Sequence, residues 1–346
     1  MSHCNDVSPT TAPENCRITS RRQVLRAILA LCAMTGLVPV ARAQEAGPYP
    51  ARPVKIVVPF AAGGATDITA RLVGEKLSVK WGQPVVIENH AGAGGNVGSD
   101  LVAKARPDGY TLLLGVTGSH AINTSLFKSM PYHPLRDFEP LSLATIYPNA
   151  IVVNASVPAS NLAELIALVK SRPTEFSYGS DGNGTASHLT LELLKTRAGF
   201  NATHVPYRGG APMLADLLGG QIQIGITGLP AVQPYVKAGT LKLIAITTAQ
   251  RAPGAPTYPT IAEQGFPGFA AAPWAGFFAP RGTPAPIVAR LNADLVDVLR
   301  MPELQQKMQD IGSQLAPGSP AEFRKFIEEE IAKWAEAVRV SGARID

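Results

Sequence analysis

Residues Val54 to Leu72 read VKIVVPFAAGGATDITARL. Ile56, Val57 and Val58 form an unbroken apolar run, as in a parallel strand buried on both faces, and it stops at Pro59. Gly63 and Gly64 let the chain turn without a Cβ in the way. Thr66 and Asp67 stand where a helix N-cap belongs, and Ile68, Leu72, Val73 and Leu77 give the next segment a helical apolar stripe. Strand, glycine turn and helix start together aim free backbone N–H groups and the positive end of a helix dipole at one point. That point suits a carboxylate or phosphate. Many α/β turns share this form and bind nothing, so the stretch gains its force from a counterpart, Tyr178 to Leu189 (YGSDGNGTASHL), with the same order of parts.

Outward from these turns, short apolar runs alternate with amphipathic segments, which predicts an α/β protein with parallel sheets covered by helices. Leu141 to Val153 and Phe269 to Pro280 read as crossovers between two lobes. Two crossings make the first lobe discontinuous: 44–145 begins it, 146–270 is the second lobe, and 271–346 supplies a crossover and C-terminal helices that complete the first. Pro302 and the stretch from Gly312 to Pro320 break that last helical section. The expected shape is a clamshell around a ligand cleft.

The first residues read as an export signal. Ser20 to Arg26 (SRRQVLR) is a twin-arginine pattern, followed by a moderately apolar run from Ala27 to Val40 and by Ala41-Arg42-Ala43. Cleavage is expected after Ala43, which leaves about 300 residues, enough for two ordinary domains. Cys4, Cys16 and Cys32 all lie upstream of that cut, so disulfides, thiolate catalysis and cysteine-bound metals are excluded from the mature chain. The formal charge of +5 also shrinks, since 26 basic residues remain against 24 acidic ones. No basic run with interleaved aromatics is present, so no nucleic-acid partner is expected.

Catalytic and cofactor motifs are weak. Gly92 to Gly98 has G-x-G-x-x-x-G spacing, one residue off the dinucleotide fingerprint and without a placed acidic ribose partner. There is no G-x-S-x-G elbow, and the histidines are scattered singly rather than in metal-ligand pairs. No enzyme, metal or cofactor is expected.

A set of longer motifs carries a family resemblance. Tyr49 to Pro53 (YPARP) leads into PFAAGGATDITAR. Then come IENHAGAGGNVG (Ile87–Gly98), RPDGYTLLLG (Arg106–Gly115), GSHAINTSLF (Gly118–Phe127), VPYRGGAPMLADLLGGQIQ (Val205–Gln223) and APWAGFFAPRGTP (Ala272–Pro284). In this order the chain resembles the Bug family, the solute receptors of tripartite tricarboxylate transporters. The resemblance implies a type II periplasmic-binding-protein fold, a periplasmic receptor for a small di-, tri- or aromatic carboxylate, and delivery to a membrane permease. A monomer is the expected state. A ligand-presenting sensor, or an enzyme on the same scaffold, is the rival reading. The family often has Asp where this chain has Gln223 and Thr227, so an amine-bearing substrate loses a natural partner if Thr227 faces the ligand.

The candidate ligand contacts follow from these turns. In the first lobe they are Phe60, in the cleft wall, and the amides of Gly63, Gly64, Ala65 and Thr66, with Asp67 kept as a cap. Thr117, Ser119 and His120 follow a strand C-terminus, where α/β ligands bind. His120 either meets ligand there or is satisfied within its loop. In the second lobe Ser180, Gly184, Thr185 and Ser187 take the matching role, joined by Thr227. Tyr207 is placed to close over the ligand, and Arg208 either joins it or faces solvent.

Overall fold

The computed structural model describes residues 49–343 and 345. The expected signal peptide and its cleavage after Ala43 lie outside the described residues. Two mixed sheets organise the rest. The first contains β1 (Val54–Val58), β2 (Val85–Asn89), β3 (Thr111–Val116), β4 (Phe138–Ile146), β10 (Trp274–Pro280) and the short β11 (Gln314–Leu315), in the order β11-β4-β10-β3-β1-β2. The second contains β5 (Asn149–Asn154), β6 (Ser177–Ser180), β7 (Thr203–Pro206), β8 (Ile224–Gly228) and β9 (Leu241–Ile246), in the order β7-β6-β8-β5-β9.

The alternation predicts parallel sheets, and the sheets are instead mixed. β1 runs parallel to β2 and β3, and β6 to β7 and β8, but β10 is antiparallel to β3 and β4, and β5 is antiparallel to β8 and β9. The reason is the crossovers. The chain leaves the first sheet along β4, passes Tyr147-Pro148 and enters the second on β5, then returns from β9 to β10. A strand arriving from the other lobe runs against the strands that started at home. Leu141 to Val153, read as a crossover, is where the chain passes between the sheets, as parts of two strands with a two-residue join.

Strand faces explain the unbroken apolar runs. Ile56, Val58, Leu112 and Leu114 face one core with Phe277, Leu291 and Leu295, while Val57 and Leu113 face the other with Phe138 and Phe278. Both faces are covered, so alternation disappears from the sequence. In the second sheet Ala150 and Val152 meet Met213 and Leu217, while Ile151 and Val153 face the opposite core.

Helix α1 (Ala65–Trp81) follows the first glycine turn and buries Ala70, Val73, Leu77 and Trp81, the stripe expected for a helix lying on a sheet. Next come α2 (Asn96–Ala103), a π turn (Gly118–Ile122) and the short α3 (Asn123–Leu126). The second lobe carries α4 (Leu162–Ser171), α5 (Ala186–Ala198), α6 (Gly210–Leu218) and α7 (Leu229–Lys237). After β10, helices α8 (Ala285–Leu299), α9 (Pro302–Asp310) and α10 (Pro320–Ser341) return to the first sheet. Pro302 and Pro320 open helices at their first position, where a missing N–H costs nothing. Ser319 and Glu322 complete a capping box on α10, which packs on β4 and also on α5 of the other lobe.

Candidate functional site

Three helix N-termini from two lobes meet at one cavity. Its walls include Phe60, Gly64, Ala65 and Thr66 at the start of α1, Thr185, Ala186 and Ser187 at the start of α5, and Gly210 at the start of α6. Val116, Thr117, Gly118, Tyr147, Asn149, Asp181, Thr227 and Pro273 complete it, and its volume is about 40 Å³. The first-turn amides of an α-helix have no backbone partner within it, so three helix starts bring such N–H groups to the wall, less the His188 amide that Thr185 caps. None of the wall residues is Lys or Arg.

The lobes are in contact around this cavity. Ala61 N–H donates across the cleft to the carbonyl of Arg208 at 3.1 Å. Glycines allow the approach. A Cβ on Gly118 would stand 2.9 Å from the carbonyl oxygen of Gly184, and one on Gly94 2.2 Å from that of Asn183. The glycines of the quoted motifs thus serve lobe contact as much as turn geometry. An outer groove of about 340 Å³ shares Phe60 and Asp181 with the cavity and is also lined by Gly94, Tyr207 and Arg208.

Eight of the fifteen sequence-derived candidates line the cavity: Phe60, Gly64, Ala65, Thr66, Thr117, Thr185, Ser187 and Thr227. Their roles differ from expectation in places. The N-cap of α1 is Gly64, not Thr66, and Asp67 folds back to accept from the Gly63 amide at 2.9 Å. Gly63 is therefore spent within its own turn. Thr185 caps α5, its hydroxyl accepting from His188 N–H. The Thr117 hydroxyl is engaged by the backbone of Trp274, 2.7 Å from its N–H.

The remaining candidates lie elsewhere. The π turn winds Ser119 and His120 into the core, where the imidazole stacks on Phe278 with centroids 4.1 Å apart and packs on Phe138. Burial lowers its pKa to about 3, so it is a neutral core histidine, bonded through Nδ1 to the Ser119 hydroxyl. The Ser180 hydroxyl bonds His204 Nε2 at 2.7 Å. Gly184 sits against Asn123 and Phe127 of the other lobe, and its amide donates to His188 Nδ1. Tyr207 donates its hydroxyl to Asp216 and, with Arg208, lines the outer groove. Gln223 bonds Ser177 and lies outside the cavity wall.

Sequence reading missed three wall residues with chemistry. Asn149, at the start of β5, is 1% exposed, and its Nδ2 has no partner in the protein. Burial holds the Tyr147 phenol up at about 12, so it enters as a neutral donor. Asp181 is the third. Its Oδ2 accepts from the Ser187 hydroxyl at 3.2 Å, while Oδ1 is buried and finds no hydrogen-bond partner. A Cβ on Gly210 would lie 3.2 Å from that Oδ1 and 2.6 Å from Thr227 Oγ1, so both oxygens flank one point of the wall. Burial pushes the Asp181 carboxyl up to about 6, against the pull of the Thr227 and Ser187 hydroxyls. Thr227 does line the cavity, and Asp181 brings an acidic group to the same wall from the neighbouring turn.

Known proteins agree with this architecture. Residues 69–342 match the family described as tripartite tricarboxylate transporter family receptor. Protein BugT of Bordetella pertussis is 38% identical over 307 residues, covering 88% of this chain and 94% of its own. Among solved structures, Rpa4515 of R. palustris with adipate is 41% identical, with a TM-score of 0.84 over 86% of this chain and 100% of that one. MatC of Rhodopseudomonas palustris with bound malate is 35% identical, with a TM-score of 0.80 over 84% of this chain and 100% of that one. The two-sheet architecture is thus that of a periplasmic binding protein, and the chain belongs to the Bug family of tripartite tricarboxylate transporter receptors, which are solute-binding proteins and not enzymes.

Proposed function

We propose that this chain is a receptor that captures a small carboxylate between its lobes in the periplasm and hands it to a membrane permease of the tripartite type. One observation carries the reading: helix N-termini from both lobes face a single cavity whose wall holds no Lys or Arg. Each helix end favours an anion by about 0.3–2 kcal/mol, and each charge-assisted hydrogen bond adds roughly 1.5–3 kcal/mol. Two such cradles supply the roughly 8 kcal/mol of micromolar binding without an arginine clamp, after ordering costs. Relatives solved with adipate and malate support the same class of ligand. The cavity contacts we assign to the ligand are the amides of Gly64, Ala65, Thr66 and Ser187, with Asn149 Nδ2 and the Tyr147 hydroxyl. Donors from both lobes are satisfied together only when the cleft is shut, so the receptor closes on its ligand as a monomer. The lobes are read as 44–145 with 271–346, and 146–270, preceded by a twin-arginine signal cut after Ala43.

Thermal unfolding of the purified chain with adipate, malate, citrate, benzoate and glutamate tests this, because a ligand that binds only the folded state raises the midpoint by mass action. A rise with at least one of them is expected. No shift with any at millimolar concentration contradicts the proposal.

A further inference from the structure

We propose that Asp181 takes up a proton when a carboxylate enters the closed cleft, so that this receptor binds its ligand together with one proton and favours carboxylates lacking an ammonium group. The inference rests on the carboxylate-receptor reading above. Its geometric basis is a buried acid oxygen without a partner, in the wall of a cavity otherwise built for an anion. A ligand carboxylate and an ionised Asp181 facing one small volume repel each other, and such pairs share a proton instead. The proton comes from solvent and bonds to Oδ1. The new O–H then donates to a ligand oxygen, which turns the one repulsive wall group into a further donor.

The alternative occupant for Oδ1 is a ligand ammonium. It would sit among the starts of α1, α5 and α6, whose dipoles oppose a cation at that place. A neutral acid has no such conflict. The other groups that face Asp181 do not supply a fixed countercharge. Ser187 and Thr227 present hydroxyls, and the Tyr147 phenol is held neutral by burial. His188, in the first turn of α5, and His204, stacked on it, are lowered by burial to about 4 and about 3, so both are neutral. Arg208 and Tyr207 border the outer groove beside Asp181; the Tyr207 hydroxyl donates to Asp216, and the groups acting on the Asp181 carboxyl are the Thr227 and Ser187 hydroxyls, not Arg208. Asp67, across the cleft, is turned away toward Arg71. With a free Asp181 titrating near 6, proton uptake at pH 7–8 comes close to one, and affinity falls by up to tenfold per pH unit above that value.

Isothermal titration calorimetry in buffers of different ionisation enthalpy measures the protons taken up. The probe is whichever of adipate, malate, citrate, benzoate and glutamate gives the largest thermal shift, titrated into wild type and Asp181→Asn at pH 5.5, 7 and 8. The expected result is near one proton bound at pH 7–8 by wild type, none by Asp181→Asn, and a variant that binds at least tenfold more tightly than wild type at pH 8. Binding without proton uptake overturns the inference and leaves the carboxylate reading standing. So does a preference for glutamate that Asp181→Asn abolishes, since Asp181 is then an ammonium partner. If no probe binds at any pH, the carboxylate reading fails and the inference fails with it.

Discussion

The two glycine turns share one grammar and place their acids in opposite ways. In the first, Asp67 turns back into its own loop: its carboxylate accepts from Gly63 N–H, from Arg71 at 2.9 Å and from Asn89 at 3.0 Å. Burial alone would raise its pKa, but the Arg71, Gly63 and Asn89 hydrogen bonds more than offset that and hold it below the ordinary value. In the second, Asp181 turns toward the cavity, keeps one oxygen unpartnered, and is raised to about 6. The first acid seals a turn; the second is held ready for whatever enters. An acid in a glycine turn therefore says little about its work until its partners are counted.

The contact of the second turn with the other lobe, through the π turn at Gly118, should be the most sensitive feature. Gly118→Val places a Cβ 2.9 Å from the Gly184 carbonyl across the cleft. We expect carboxylate affinity to fall by about 100- to 1,000-fold, roughly 3–4 kcal/mol, when measured by calorimetry. Small-angle scattering should show that added ligand no longer reduces the radius of gyration of this variant. Unchanged affinity would mean that ligand binds without the lobes meeting at Gly118 and Gly184.

The two acids should act on stability with opposite sign. Asp67, with its lowered pKa, contributes stability that is present above the ordinary value of 3.8 and lost as pH falls through its folded value. Asp181, raised to about 6, contributes stability that is full below 3.8 and lost as pH rises through about 6. Asp181→Asn should therefore stabilise the ligand-free chain at pH 8 by up to about 3 kcal/mol, and not at pH 3.5. Asp67→Asn should destabilise it at pH 8 by about 1–2 kcal/mol. Denaturant titrations at the two pH values check both. Equal signs would mean that the two acids are held alike.

Arg208→Ala should have the smallest effect, threefold or less on affinity. Arg208 lines the outer groove and not the cavity, and its bond to the other lobe uses its backbone carbonyl, which alanine keeps. A large loss by calorimetry would place the ligand in that groove.

Much of this fold was legible because its signals are local. The run at Ile56–Val58, the glycine turn and the stripe through Val73 and Leu77 each lie within one element, and two such units announced two lobes. Mixed strand direction was not legible, because apolar content does not encode which way a returning strand runs. Nor was Asp181: in DGNG it reads as an ordinary turn residue, and only the fold shows its Oδ1 in a cavity wall without a partner. Tyr147 and Asn149 lie in a stretch that reads only as a crossover, with no motif to mark them. His120 stands after a strand C-terminus, the favoured place for a ligand contact, yet its neighbours are Phe138 and Phe278 from strands β4 and β10. The two glycine turns themselves revealed where ligand chemistry gathers, and tertiary contacts decided which residues face it.

The most direct test is a crystal structure of the chain with the most stabilising carboxylate of the panel. The account predicts ligand oxygens within hydrogen-bond distance of amides at the starts of both α1 and α5, with Asp181 Oδ1 in contact with one of those oxygens. A ligand held by one lobe alone, or lying in the outer groove beside Arg208, would contradict it.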